Sequence, residues 1–317
     1  MEGLREAKRY ILKAKDIVIS GHVNPDGDSL GSLLSLGLGL ESIGKKVYSL
    51  SQDKIPTTYS PLPGINRVTK TTKKKVDIAI AVDCSTKELL GKTFSVFKGA
   101  KSILEIDHHE FRRPFGDIRL IDHKAAAVGE LVYMLLKELN VKITKDIAEN
   151  LLTSIIVETN SFRLSNVRSF TFRLCAELLK TGVDFSKLTN TIYWSKTKES
   201  ALLLGIFLSR CKFLKDERIV WSIIREKDIA KVKGRDYDAD TVANEMRSIK
   251  GVEIVVLFRE KNRKFLRVSL RSKGEINVSS IAERYGGGGH FDIAGCYIPN
   301  NTKSIRRLLS SAEDLLK

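Results

Sequence analysis

Three potential cation ligands, His22, Asp26 and Asp28, lie within seven residues of one another in Gly21-His22-Val23-Asn24-Pro25-Asp26-Gly27-Asp28-Ser29. An imidazole and two carboxylates can share a divalent ion if the chain between them folds back. Asn-Pro-Asp-Gly is a turn sequence: Pro25 fixes φ and Gly27 admits a left-handed conformation. Taken alone, the stretch fits equally well a strand-to-helix turn whose acids are merely solvated, with Asp28 and Ser29 at the helix N-cap. The other histidines weigh against that. All five, His22, His108, His109, His123 and His290, fall in acid-rich or glycine-rich segments. A lone buried histidine is usually a satisfied core residue, but imidazoles clustered with aspartates at strand ends point to metal ligation. Nitrogen and carboxylate donors without thiolate suit manganese or a similar octahedral divalent ion better than structural zinc. The donors exceed what one ion can use. A pair of ions about 3.5 to 4 Å apart activates water and stabilises both oxygens of a phosphoester displacement.

The elements that must bring these residues together are short apolar runs separated by helical segments. Residues 15–20 (Lys-Asp-Ile-Val-Ile-Ser) predict a buried strand leading to His22. Residues 76–82 predict another ending in Asp83-Cys84-Ser85, and 101–106 a third ending in Asp107-His108-His109. Residues 46–50 and 117–121 complete the set, the last leading to Asp122-His123. Such a pattern implies an α/β domain with a mostly parallel sheet flanked by helices, whose ligands gather at the carboxyl ends of its strands. Helices are expected at 30–44, 128–139, 145–157, 169–179 and 185–193.

A chain of 317 residues is too long for one ordinary core. The expected division is a catalytic domain at 1–195, a connecting helix at 196–212 and a smaller α+β domain at 213–317. Strands are expected in the latter at 219–224, 252–259, 265–270 and 296–298, with helices near 241–249 and 279–285. The net charge of +16 favours a polyanionic partner, nucleic acid before membrane, because no amphipathic Trp/Phe-rich basic helix or lipidation signal accompanies it. Four dispersed cysteines form no CxxC pair and imply reduced thiols in a cytoplasmic protein. No apolar segment approaches the roughly 18 residues of a spanning helix, and no signal peptide is expected.

Near the C-terminus Gly286-Gly287-Gly288-Gly289 precedes His290. Consecutive glycines can aim backbone N–H groups into an anion-binding concavity. Neither a Walker loop nor Rossmann spacing is present. The clusters at Lys73 to Lys75, Arg112-Arg113 and Lys261 to Lys264 read as solvated faces.

Together these segments resemble, in order and over nearly the whole chain, the DHH phosphoesterase superfamily, particularly its RecJ-like and nanoRNase-like two-domain members. His22 to Ser29 is similar to its first motif, Val82-Asp83-Cys84-Ser85 to its second, and Asp107-His108-His109 to the signature that names it. Arg271-Ser272, Gly286 to His290 and Ala294-Gly295 resemble the DHH-associated C-terminal domain. The resemblance implies one manganese held by His22, Asp26 and Asp83 and a second by Asp28, Asp83 and His108, with Asp83 bridging. It further implies that His109 faces the scissile phosphate and that Arg271, Ser272, Gly286, Gly287, Gly288, Gly289 and His290 contact the substrate nucleotide. Two departures stand out. Where the family closes its ligand set with an Asp, this chain has Glu158, whose extra methylene either reaches the ion from a shifted helix or leaves the second metal weakly held. The hydroxyl residues usual after the fourth motif's Asp are replaced by Ala125, Ala126 and Ala127.

The expected activity is a manganese-dependent exonuclease on single-stranded DNA, RNA or short oligonucleotides. The alternatives are a phosphatase of 3′-phosphoadenosine 5′-phosphate or a cyclic dinucleotide, and a non-catalytic nucleic-acid-binding scaffold. A family II pyrophosphatase fits less well, since its C-terminal domain lacks the Gly-rich segment. The net charge favours a polymer, and a helicase partner of repair or replication and the oligomeric state are left open by the sequence.

Overall fold

The computed structural model describes residues 2–194, 197–233, 239–289 and 291–316. The chain divides into two compact units, Met1–Ser195 and Lys196–Lys317.

The first unit holds a parallel sheet of β1 (Asp16–Ser20), β2 (Lys46–Leu50), β3 (Ile78–Val82), β4 (Ser102–Asp107) and β5 (Ile118–Ile121) in the order β2-β1-β3-β4-β5. Its helices are α1 (Glu2–Lys13), α2 (Gly27–Ser42), the short α3 (Phe94–Phe97), α4 (Val128–Glu138), α5 (Lys145–Glu158), α6 (Ser169–Leu179) and α7 (Phe185–Tyr193). Side chains alternate across the strands, so Ile17, Ile19, Ile80, Val82 and Ile106 enter one core with apolar residues of α2, α4 and α5, while Val18, Ala79 and Ala81 enter another with Leu90 and Phe97. This double burial is what the continuous apolar runs require. Strand order reverses at β1, where β2 lies on one side and β3 on the other. Crossovers leaving in opposite directions open a crevice at the carboxyl ends of β1 and β3.

Helix α2 occupies the centre of this unit, with thirteen of its sixteen residues buried. It starts earlier than the sequence suggests. Asp26, rather than Asp28 or Ser29, is the N-cap, and its carboxylate accepts from the Ser29 N–H at 3.0 Å. Asp28 therefore lies inside the first turn and is carried into the interior. At Gly31 a Cβ would stand 2.4 Å from the Asn150 carbonyl oxygen, so only glycine lets α2 and α5 approach backbone to backbone.

The second unit comprises α8 (Lys198–Leu208), β6 (Lys212–Leu214), β7 (Ile219–Ile224), α9 (Glu226–Lys231), α10 (Ala239–Ser248), β8 (Ile254–Glu260), β9 (Phe265–Ser272), α11 (Ser279–Arg284), β10 (Gly288–Gly289), β11 (Ile293–Pro299) and α12 (Thr302–Asp314). Its mixed sheet runs β10-β11-β9-β8-β7-β6, with β7 and β8 parallel and the other pairs antiparallel. The apolar stripe expected to form a connecting helix is α8, and it also covers one face of this sheet. Leu203 and Phe207 of α8 are buried with Val220, Ile224 and Val255, and the chain after it pairs with β7 as β6. Residues of α11 and α12 cover the opposite face. Among the described residues no helix is long and apolar enough to cross a membrane.

Candidate active site

Three strand ends deliver the first unit's acids and imidazoles. After β1 the chain turns tightly against the start of α2, since a Cβ on Gly21 would stand 2.0 Å from Ser29 Oγ. Asn24 takes φ 53° in the loop that follows. After β3, Asp83 adopts φ 57°, a left-handed conformation that a non-glycine residue holds at a cost and that recurs at functional sites. Its N–H is retained by the Ile106 carbonyl at 3.0 Å, so β3 and β4 end in register. After β4 come His108 and His109.

These side chains meet. His22 Nε2 lies 3.6 Å from Asp26 Oδ1 and 3.4 Å from Asp83 Oδ2. His108 Nε2 lies 3.8 Å from Asp28 Oδ2, 3.6 Å from Glu158 Oε1 and 4.0 Å from Asp83 Oδ1. The separations are longer than those of ordinary strong hydrogen bonds. They are close to those of donors around a common cation, since two ligands each about 2.1 Å from an ion stand roughly 3 to 3.6 Å apart. Three groups of donors have this compactness: His22, Asp26 and Asp83; Asp28, His108 and Glu158; and Asp83, His108 and His109. Asp83 is shared, one oxygen toward His22 and the other toward His108 and His109. Glu158, at the C-terminal end of α5, reaches the second group. His123 belongs to none of the groups found among the described residues.

Both imidazoles are oriented by a backbone carbonyl. His22 Nδ1 lies 2.8 Å from the Val23 carbonyl and His108 Nδ1 lies 3.0 Å from the Ala125 carbonyl. A carbonyl only accepts, so each Nδ1 carries the proton and Nε2 turns toward the carboxylates, the orientation outer partners give to metal-binding histidines. Asp28 is wholly buried and equally constrained. Ser32 Oγ donates to it at 3.0 Å, Ser154 Oγ at 2.6 Å and the Val128 N–H at 2.9 Å. These donors come from α2, α5 and the start of α4.

The electrostatics also call for positive charge. Burial pushes Asp28 up to about 7, with Asp83 and Asp26 adding to it. Burial likewise raises Glu158 well above the carboxylate range, over the opposing effect of His108. Asp26 goes the other way, to about 2, because His22 and the backbone N–H groups of Ser29 and Asp28 outweigh its burial. Burial disfavours protonated His22 and His108, yet the carboxylates around them raise both, His108 to about 9. Four carboxylates crowded about two imidazoles would be relieved by divalent cations, and the donor set fits two of them.

Asp107 has a different task. Its Oδ1 accepts from His109 Nδ1 at 2.7 Å and from the His108 N–H at 2.9 Å, and it joins none of the three groups. Tyr59, from the loop between β2 and β3, lies close to Asp26 and the Gly27 backbone, and burial pushes its phenol up with Asp26 adding to it. Nothing in the spacing of Tyr59 signalled this placement. Arg112 was expected on a solvated face, but its side chain is only 6 % exposed. The available signal was Glu105, an acid inside a strand buried on both faces, which has to find a partner.

In the second unit, Ser272 is fully buried and its hydroxyl donates to the Ile276 carbonyl at 2.6 Å, a tie within its own loop. Arg271 donates to the Leu270 carbonyl at 3.0 Å. The glycines are placed by packing. Gly286 has φ 71° at the end of α11, and a Cβ on Gly287 would stand 2.1 Å from the Gly295 carbonyl. Gly288 and Gly289 form the edge strand β10, paired with Gly295 and Ala294. His290 lies outside the described residues.

A parallel sheet of this order, with acids and imidazoles at three strand ends and a separate mixed-sheet unit after it, defines a two-domain phosphoesterase. The DHH family N-terminal domain matches residues 16–155 and the DHHA1 domain matches residues 229–317. The chain is 31% identical, over 90% of its length and 85% of the relative's, to the bifunctional oligoribonuclease and PAP phosphatase NrnA of Thermus thermophilus. It belongs to the DHH phosphoesterase family and is a hydrolytic enzyme. An exopolyphosphatase-related protein from Bacteroides fragilis shares the fold at 23% identity, with a TM-score of 0.91 over 98% of this chain and 95% of that one. RecJ of Thermus thermophilus, solved in complex with Mn2+, shares it more loosely at 13% identity, with a TM-score of 0.55 over 98% of this chain and 54% of that one.

Proposed function

We propose that this enzyme is a manganese-dependent phosphodiesterase that removes nucleotides from one end of short single-stranded oligonucleotides. The observation carrying this reading is Asp83, whose two oxygens serve two separate donor groups. His22, Asp26 and Asp83 would hold one ion, and Asp28, His108, Glu158 and Asp83 the other. Bound there, such ions supply an activated water and stabilise the attacking and leaving oxygens. Asp83 fixes the spacing of the two sites. Asp107 holds Nδ1–H of His109, so the opposite ring nitrogen is the one presented to the scissile phosphate. We assign Arg271, Gly286 to Gly289 and His290 to substrate contact; Gly288 and Gly289 are exposed. Buried Ser272 is left out of that set. The relative's oligoribonuclease activity and the net charge of +16 favour an oligonucleotide.

The relative's second activity favours a second reading, hydrolysis of 3′-phosphoadenosine 5′-phosphate at the same centre. End-labelled DNA and RNA of two to about twenty-four nucleotides, with manganese and with chelator, test the first reading, and phosphate release from the mononucleotide tests the second. Stepwise shortening that requires manganese and weakens with salt on the longer strands is expected. Cleavage of the mononucleotide alone would replace the first reading with the second.

A further inference from the structure

Glu105 lies in the middle of β4, paired with Ala81 on one side and Arg119 on the other, and is wholly buried. An ionised carboxylate in such a place is costly unless fully partnered. Its partners come from the loop after Asp107-His108-His109. The Phe115 N–H donates to Oε1 at 2.6 Å, the Gly116 N–H donates to the same oxygen, and a terminal nitrogen of Arg112 donates to Oε2. Gly116 fits only without a side chain, since its Cβ would stand 2.9 Å from Glu105 Cγ. The loop is also tied beyond β3, where the Arg113 N–H donates to the Ser85 carbonyl at 2.9 Å.

Arg112 has a second carboxylate. Its Nε donates to Asp107 Oδ2 at 2.7 Å. Glu105 and Asp107 are two residues apart on one strand and so share a face, and a planar guanidinium spans them. Asp107 then has both oxygens committed, Oδ2 to Arg112 and Oδ1 to His109 Nδ1. Neither Glu105 nor Arg112 belongs to a candidate cation group.

We propose that Arg112, anchored by buried Glu105, is a positioning residue that locks the Asp107 carboxylate and thereby holds His109 in one tautomer and one orientation toward the reacting phosphate. The proposal rests on the role given to His109 above. A carboxylate tethered at one oxygen only can rotate about its χ2 and release the imidazole. Tethered at both, it keeps Nδ1 protonated and the ring fixed.

The test has two readouts. On an end-labelled oligonucleotide with manganese, Arg112→Met should lower kcat by about 10- to 100-fold, the usual cost of losing an outer partner of a functional imidazole, with KM changed less than about 3-fold. Arg112→Lys, which keeps the charge but not the fork, should recover only part of that loss. Independently of turnover, nitrogen-15 spectra of the imidazoles, with His109 assigned by His109→Gln, should show the Nδ1–H form in the intact protein and a mixture of tautomers in Arg112→Met. If Arg112→Met does not fold, Arg112→Lys and Glu105→Gln carry the same comparison. Unchanged kcat and an unchanged His109 spectrum in a folded variant would overturn the proposal, as would a fall in kcat of a folded variant whose His109 spectrum is unchanged. Should the intact protein cleave no oligonucleotide while the tautomer shift appears as described, the positioning stands and the substrate assignment fails.

Discussion

The two ends of β3 carry one aspartate each and use it in opposite ways. At the amino end, Asp77 accepts from the Lys15 N–H at 2.9 Å, the Asp16 N–H at 3.1 Å and Lys101 Nζ at 2.7 Å. Each partner favours the ionised form, so the Asp77 carboxyl is held below its usual range, chiefly by Lys101. At the carboxyl end, Asp83 sits in a left-handed conformation among Asp26, Asp28 and Glu158, and burial pushes Asp28 and Glu158 up. One end of the sheet uses carboxylates to hold the fold together, while the other crowds them at a cost to stability that a bound cation can recover. Stability given up at a site in this way is a common mark of function.

Removing Asp83 should break the contrast most severely. Asp83→Ala is expected to reduce turnover by about 10³-fold or more, because both ions lose a ligand at once. Metal content measured on the dialysed protein should fall with it, while the far-UV spectrum stays native. Turnover and metal content at intact levels would remove Asp83 from the account.

Manganese should stabilise the intact protein, by about 2.7 kcal/mol when the ion is at 100 times its Kd. Glu158→Gln sharpens the comparison. Neutralising this acid relieves crowding in the metal-free protein, so its Tm without manganese should hold or rise, while the manganese-induced rise shrinks. Thermal scans with and without the ion decide it, and an undiminished rise would leave Glu158 as a bystander.

Ser154→Ala takes away a hydroxyl that donates to buried Asp28 at 2.6 Å. Affinity for the ion beside Asp28, His108 and Glu158 should drop by about 10- to 100-fold, as for other supporting partners of a ligand, with the ion beside His22 and Asp26 unaffected. Calorimetric titration would then separate two binding steps, and parallel weakening of both would contradict the division into two sites.

The smallest effect belongs to the amino end. Because Asp77 has a lowered folded pKa, its contribution is full above the unfolded value of about 3.9 and disappears as pH falls below it. Its side chain is partly open to solvent, so Asp77→Asn should cost less than about 1 kcal/mol at neutral pH and flatten the acid limb of Tm against pH below about pH 4. Turnover should not change. A loss of turnover would mean that the two ends are not independent.

Much of this was legible from residue order. Continuous apolar runs ending in His22, Asp83 and Asp107-His108-His109 were enough to place three strand ends at one sheet edge, because parallel strands buried on both faces admit polar residues only at their ends. The helix start was misplaced by two residues, since Asp26 and Asp28 are equally good N-caps on paper. Only the backbone approach at Gly31 and the hydroxyl of Ser154 show why Asp28 belongs inside. The glycines were legible only in part. A run of four fits an anion nest and a close-packed edge strand alike on paper, and the pairing of Gly288 and Gly289 with Gly295 and Ala294 depends on a strand distant in sequence. Arg112 was hidden because its partners, Glu105 and Asp107, lie back in a strand, where no helical or alternating period links them to a loop.

If Asp83 joins two cation sites, anomalous diffraction at the manganese edge from crystals of the intact protein grown with Mn2+ will show it. Two peaks about 3.5 to 4 Å apart, one beside His22 and Asp26, the other beside Asp28, His108 and Glu158, with an oxygen of Asp83 on each, are expected. A single peak, or peaks that Asp83 does not touch, would contradict it.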